Sequence, residues 1–176
     1  MRIGGLRNSF QVAVDELKTT SHQQKITISV IGGHKSDEKV EKLAADIGKI
    51  IAKAGAVLVC GGLAGVMQAA AKGCKQAGGT TIGLLPGKEN TDANPYIDIA
   101  LPTTIGYARN AMVACSADII VALPGSHGTN SEICYGLVYG RPVIDLGGWG
   151  IEGMICARDS QEAEQMIREI IKKIRM

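Results

Sequence analysis

Aromatic side chains are scarce in this chain: one Phe, one Trp and four Tyr make up 3% of its 176 residues. So few rings exclude a surface that stacks successive bases or sugars on aromatic platforms. Neither sign of charge dominates, with 19 basic against 17 acidic residues and a net charge of +2. That balance, without a run of like charges, argues against a nucleic-acid partner. The five cysteines, Cys60, Cys74, Cys115, Cys134 and Cys156, include no C-x-x-C pair. An odd, scattered set is neither a disulfide framework nor a zinc site, and it predicts a reducing, cytoplasmic setting. His, Cys and carboxylates do not cluster with ligand spacing, so no metal site is expected. The N-terminus lacks the apolar core of a signal peptide.

The one long uncharged run, Ala54 to Ala71, has the length of a membrane span. Gly55, Gly61, Gly62 and Gly65 interrupt it, and it reads instead as strand, turn and helix within a packed core. No membrane partner is expected.

What is abundant is apolar residues, at 45%, and glycine, with 23 positions. That composition suits a tightly wound α/β protein, and the length suits a single domain with a real core. Residues 1–24 are polar and irregular and read as an N-terminal extension, whether strand, helix or arm. From residue 25 to 176 the pattern is regular. Strands are expected over 26–31, 56–60, 80–85, 97–101, 119–122 and 143–146, with a short one near 155–157. Between them Val40, Leu43, Ala44, Ile47, Ile50 and Ile51 recur at helical spacing behind Ser36 or Asp37 as cap. Further helices are expected from the turn at 61–65 to about 77, over 106–116, after residue 126 until Gly140 and Pro142, and along Ala163, Met166, Ile167, Ile170, Ile171 and Ile174. Alternating strands and helices predict a Rossmann-like, doubly wound parallel sheet.

In such sheets ligands bind beyond the carboxyl ends of strands. Three glycine-rich turns fall there: Gly32-Gly33, Gly61-Gly62 with Gly65, and Gly125-Ser126-His127-Gly128. The last is the most informative. It runs from the buried strand Ile119-Ile120-Val121-Ala122 into a helix through Pro124-Gly125-Ser126-His127-Gly128-Thr129-Asn130-Ser131-Glu132. A strand turning through glycine into a helix N-terminus aims several backbone N–H groups, and the positive end of the helix dipole, at one spot. That spot suits a phosphate or carboxylate. No G-x-x-x-x-G-K-[ST] occurs, the nearest being Gly83 to Lys88 with the wrong spacing, and no G-x-G-x-x-G follows the first strand. A Walker-type ATPase and an NAD enzyme are therefore disfavoured.

The segment from Ala108-Arg109-Asn110 to Pro124-Gly125-Ser126-His127-Gly128-Thr129-Asn130-Ser131-Glu132 resembles the LOG-like family, once labelled lysine decarboxylases, whose motif is P-G-G-x-G-T-x-x-E. The similarity runs from about Lys25 to the C-terminus and includes Gly61-Gly62-Leu63-Ala64-Gly65-Val66-Met67. The resemblance implies a Rossmann-like fold, a homodimer or larger homo-oligomer, and a small phosphorylated ligand. In the best-defined members it implies hydrolysis of a nucleoside 5′-monophosphate to free base and ribose 5-phosphate, with no required cofactor. Arg109 and Glu132 match the family's catalytic positions. Ser126 stands for the motif's second glycine, and Asn110 for the lysine usual in the cytokinin-activating branch. The Ala-Arg-Asn form is similar to a sister branch near the algal molybdenum-cofactor carrier, which binds a phosphorylated pterin. A carrier or sensor of nucleotide or pterin phosphate is thus the alternative to a phosphoribohydrolase. Lysine decarboxylation fits poorly, since no lysine has the context of a pyridoxal-phosphate site.

Each candidate also has a plainer reading. Thr129 to Glu132 is a T-x-x-E capping box, in which Glu132 would serve its own helix. Arg109 could pair with a surface acid, or it could fork onto a phosphate. Ser126, Gly128 and Thr129 either contact the anion or form a tight turn. Ser126 adds a hydroxyl contact or narrows the cradle. His127 occupies the motif's variable position. His34 either lines the crevice or faces solvent, Met67 and Gly65 pack beneath a ligand or between helix and sheet, and Tyr107 and Trp149 either touch a base or are buried.

Overall fold

The computed structural model describes residues 25–176; the expected N-terminal extension over 1–24 lies outside the described residues. Strands β1 (Thr27–Ile31), β2 (Val57–Cys60), β3 (Thr80–Leu85), β4 (Ile99–Pro102), β5 (Ile119–Ala122), β6 (Val143–Asp145) and β7 (Ile155–Cys156) form one seven-stranded sheet. Their order is β4-β3-β2-β1-β5-β6-β7, and every neighbouring pair is parallel. Helices α1 (Glu38–Lys53), α2 (Val66–Gln76), α3 (Asn110–Cys115), α4 (His127–Val138) and α5 (Ser160–Ile174) cover its two faces. The architecture is the Rossmann-like α/β fold that the alternation of apolar runs implies.

The twofold alternation along each strand decides which helices it meets. Ile28, Val30, Ile119 and Val121 pack with Ala44, Ile47 and Ile51 of α1, Ala70 of α2, and Ile167 of α5. Ile31, Ile120 and Ala122 face the other way, against Val113 and Ala114 of α3 and Ile133 of α4. Burying each such Ile or Val side chain contributes about 1.5–3 kcal/mol. Ser29, on the second face, is fully buried, and its hydroxyl donates to the Val113 carbonyl at 2.5 Å, fastening α3 to β1.

Local chemistry sets the helix starts. Asp37, not Ser36, caps α1 by accepting from the Val40 amide at 2.8 Å, while Ser36 bonds Glu41. Asp159 caps α5 through the amides of Gln161 and Glu162. The helix expected from the turn at 61–65 starts at Val66, directly after that turn, where Gly65 takes φ +65°, outside the helical region. A Cβ there would also collide with the Gly33 and His34 carbonyls. The one expected over 106–116 opens as a 3₁₀ turn, Gly106–Arg109, before α3. The run Ala54 to Ala71 divides into β2, a turn and the start of α2. No helix among the described residues is long and apolar enough to cross a membrane.

Strand order reverses between β1 and β5: from β1 the chain winds outward through β2 to β4, and from β5 through β6 to β7. A crevice opens at such a switch point, beyond the carboxyl ends of the two strands. Here the turns after β1 and β5 are joined across it, with the Gly33 amide donating to the Pro124 carbonyl at 2.9 Å.

Candidate functional site

The β5–α4 turn places Ser126 at the N-cap in extended backbone, and its side chain bonds none of the first-turn amides. Those amides and the positive end of the α4 dipole are left for an external anion. Asn110 steadies this end of α4. Its Nδ2 donates to the Gly128 carbonyl at 3.2 Å and to Ser131 Oγ at 3.0 Å. The capping box expected at Thr129 does not form. Because the helix already begins at His127, Glu132 falls in its second turn, where it lines the crevice instead of serving the backbone.

Arg109 enters the same crevice from the 3₁₀ turn. It is only 6% exposed, yet its Nε and Nη1 have no hydrogen-bond partner. Gly61 makes room for it, since a Cβ at that position would overlap the guanidinium and approach Met67 Sδ to 2.7 Å. Burial lowers the proton affinity of Arg109, against the opposing pull of Glu132. Glu132 is 8% exposed, and burial pushes its carboxyl up to about 8, with Arg109 pulling the other way. Burial thus disfavours the charged form of both groups, and the two form no ion pair.

These groups border one cavity of about 260 Å³. Gly32, Gly33, Gly61 and Met67 form one side of its lining; Arg109, Ser126, Gly128, Thr129 and Glu132 complete the set of expected residues brought together there. Gly62, Gly65, Gly125 and His127 do not line it. Gly62 offers its carbonyl to Asn94, and Gly65 sits where α2 packs under the turn after β1. Gly125 borders a neighbouring cavity that shares Gly33, His34 and Ser126 with the first. His127 is exposed at the start of α4. Tyr107 and His34 both reach the main cavity, whereas Trp149 donates to the Leu123 carbonyl and packs in the second layer.

Asn110 and Leu63 also line the cavity. The position next to Arg109 was the available signal for Asn110, and the place of Leu63 inside the glycine turn at 61–65 was the signal for that residue. Cys60, fully buried, donates its thiol weakly to the Met67 carbonyl, and burial pushes its pKa up to about 12, so it is no nucleophile. All five cysteines are free. Among the described residues no group of three His, Cys, Asp or Glu is placed to hold a metal ion.

A family model described as the SLOG cluster4 family matches residues 25–174. The chain is similar to the molybdenum cofactor binding protein of the phototrophic bacterium Rippkaea orientalis, at 33% identity and a TM-score of 0.81, covering 85% of this chain and 99% of that one. It is similar to the molybdenum cofactor carrier protein of Chlamydomonas reinhardtii at 32% identity and a TM-score of 0.77, over the same shares of the two chains. An uncharacterized protein of Archaeoglobus fulgidus is 40% identical over 137 residues, 77% of this chain and 90% of that protein.

Proposed function

The chain belongs to the SLOG cluster4 family, a LOG-like branch beside the molybdenum cofactor carriers, and from that premise we propose that it binds a small phosphorylated heterocyclic ligand as a carrier. Arg109 is the observation that carries this reading. Two guanidinium N–H groups buried without partners cost about 1–3 kcal/mol each unless something fills them. Arg109 borders the cavity and forms no ion pair among the described residues, so a phosphate there accepts from the cavity-facing edge of the guanidinium while the open amides at the start of α4 take its other oxygens. The glycine at 61 and the tight β5–α4 turn keep side chains out of the space the anion needs. The molybdenum cofactor, bound by the similar Rippkaea orientalis protein and carried by the similar Chlamydomonas reinhardtii protein, makes a phosphorylated pterin the first candidate cargo, and an AMP-like nucleotide the second. A homodimer or larger homo-oligomer is part of the same proposal, with Met112 of α3, Tyr135 and Val138 of α4 and the following Tyr139, all exposed, as the apolar residues it would use.

A second reading, phosphoribohydrolase, is favoured by Glu132. A carboxyl raised to about 8 holds a proton at pH 7. As the N-glycosidic bond of a nucleoside 5′-monophosphate breaks, that proton passes to the departing base. Water adds to the ribose carbon, its proton returns to the Glu132 carboxylate, and ribose 5-phosphate results.

Calorimetry with a phosphorylated 6-alkylpterin and with AMP, GMP and CMP, followed by chromatography for free base, separates the two. Binding without base release is the carrier result. Base release abolished in Glu132→Gln is the hydrolase result, and absence of binding to every phosphate sinks both.

A further inference from the structure

We infer that Tyr107 is the platform on which the ligand's planar heterocycle stacks, at the mouth of the cavity and outside its enclosed part; this rests on reading the cavity as a phosphate site. The cavity, about 260 Å³, falls just short of the roughly 300–1,000 Å³ of sites that enclose a whole organic ligand. Its lining includes Arg109, Glu132 and the start of α4, which suit a phosphate and the atoms next to it. A ring attached to that phosphate extends out of this space, past Tyr107 or into the neighbouring cavity that shares Gly33, His34 and Ser126, and Tyr107 offers the aromatic face. Tyr107 borders the cavity and is 85% exposed, and it is the only Phe, Tyr or Trp among the described residues that line it.

The backbone beneath that ring is held far more firmly than the ring itself. Thr104 adopts φ +62°, a conformation that β-branched residues rarely take. Three bonds strap the segment to the turn after β3: Thr103 amide to Leu85 carbonyl at 2.9 Å, Thr104 to Gly87 at 3.0 Å, and Gly106 to Pro86 at 3.0 Å. Strain of this kind persists where surrounding structure enforces it, and it gathers at ligand clamps. Here it supports a side chain that buries almost nothing in the fold. The next 3₁₀ residues carry the chain to Arg109, so one rigid turn presents both the ring and the guanidinium. Stacking on a phenol tolerates many flat rings, so phosphate and flatness together define the ligand class: a planar aromatic heterocycle, nucleobase or pterin, bearing a phosphate.

Calorimetry on wild type, Tyr107→Ala and Tyr107→Phe tests this with ribose 5-phosphate, AMP, GMP and a phosphorylated 6-alkylpterin. Tyr107→Ala weakens whichever ring-bearing phosphate binds by about 5- to 150-fold and leaves ribose 5-phosphate unchanged. Tyr107→Phe stays within about twofold of wild type because the ring survives. The heterocycle that shows the loss identifies the source, base or pterin. Equal weakening of ribose 5-phosphate, or no weakening of any probe, overturns the platform while the phosphate reading stands. An alanine variant that alters sedimentation but not ring affinity also overturns it, assigning Tyr107 to a subunit contact. A wild type that binds none of the four phosphates overturns both.

Discussion

Replacing Arg109 with Met separates stability from binding, because the two should move in opposite directions. In the ligand-free protein the guanidinium is 6% exposed and leaves Nε and Nη1 unpartnered. Each unfilled buried donor costs about 1–3 kcal/mol, and Met keeps much of the side chain's volume and packing. Loss of the Arg109 charge leaves Glu132 more firmly protonated, not as a stranded anion, so the change creates no new buried charge. Relief of even one such donor is a net gain of about 1–3 kcal/mol, which for a domain of this size raises Tm by about 2–12 °C. Binding responds the other way. Two charge-assisted bonds worth about 1.5–3 kcal/mol each predict a loss of affinity of about 100- to 10,000-fold for a phosphorylated ligand. Scanning calorimetry of the empty protein and titration with ribose 5-phosphate read the two effects. A variant that melts lower and binds as well as wild type would refute the reasoning and make Arg109 a structural residue.

Gly61→Ala should leave the sheet intact but drive the guanidinium out of the cavity, since its Cβ overlaps Arg109; titration should show phosphate affinity reduced about tenfold or more. Unchanged affinity would mean that Arg109 does not reach the anion. Glu132 gives a pH signature. Its folded pKa of about 8 lies above the 4.5 of the free side chain, so the stability of its neutral form is complete below pH 4.5 and is lost as pH rises through 8. Each pH unit inside that window costs up to about 1.4 kcal/mol. Tm of wild type should therefore fall relative to Glu132→Gln between pH 5 and 8, and parallel curves would contradict a buried, proton-holding acid.

Much of this molecule was legible in its sequence because its strands are short apolar runs bounded by glycine. Ile119 to Ala122 and Val57 to Cys60 are buried on both faces, so composition alone marked them as inner strands. The glycine turns at 32–33, 61 and 125–129 could be assigned to one crevice because parallel strands put their carboxyl ends on the same side. What escaped were features set by distant packing. The need for glycine at 65 depends on the carbonyls of Gly33 and His34 that a Cβ there would meet, which no local propensity records. Glu132 fitted a capping box as well as a ligand site until the N-cap proved to be Ser126. The unpartnered state of Arg109 is likewise a property of its burial beside Gly61, remote in sequence. Gly62, Gly65 and His127 carried the motif's pattern without its position, two holding the backbone and one facing outward.

Native mass spectrometry of the protein purified directly from cells, followed by release and fragmentation of whatever it holds, tests the central claim most directly. A phosphorylated planar heterocycle retained by wild type and missing from Arg109→Met is the predicted result. A ligand without phosphate, or one held equally by the two proteins, would contradict the assignment of this crevice as a phosphate site built on Arg109.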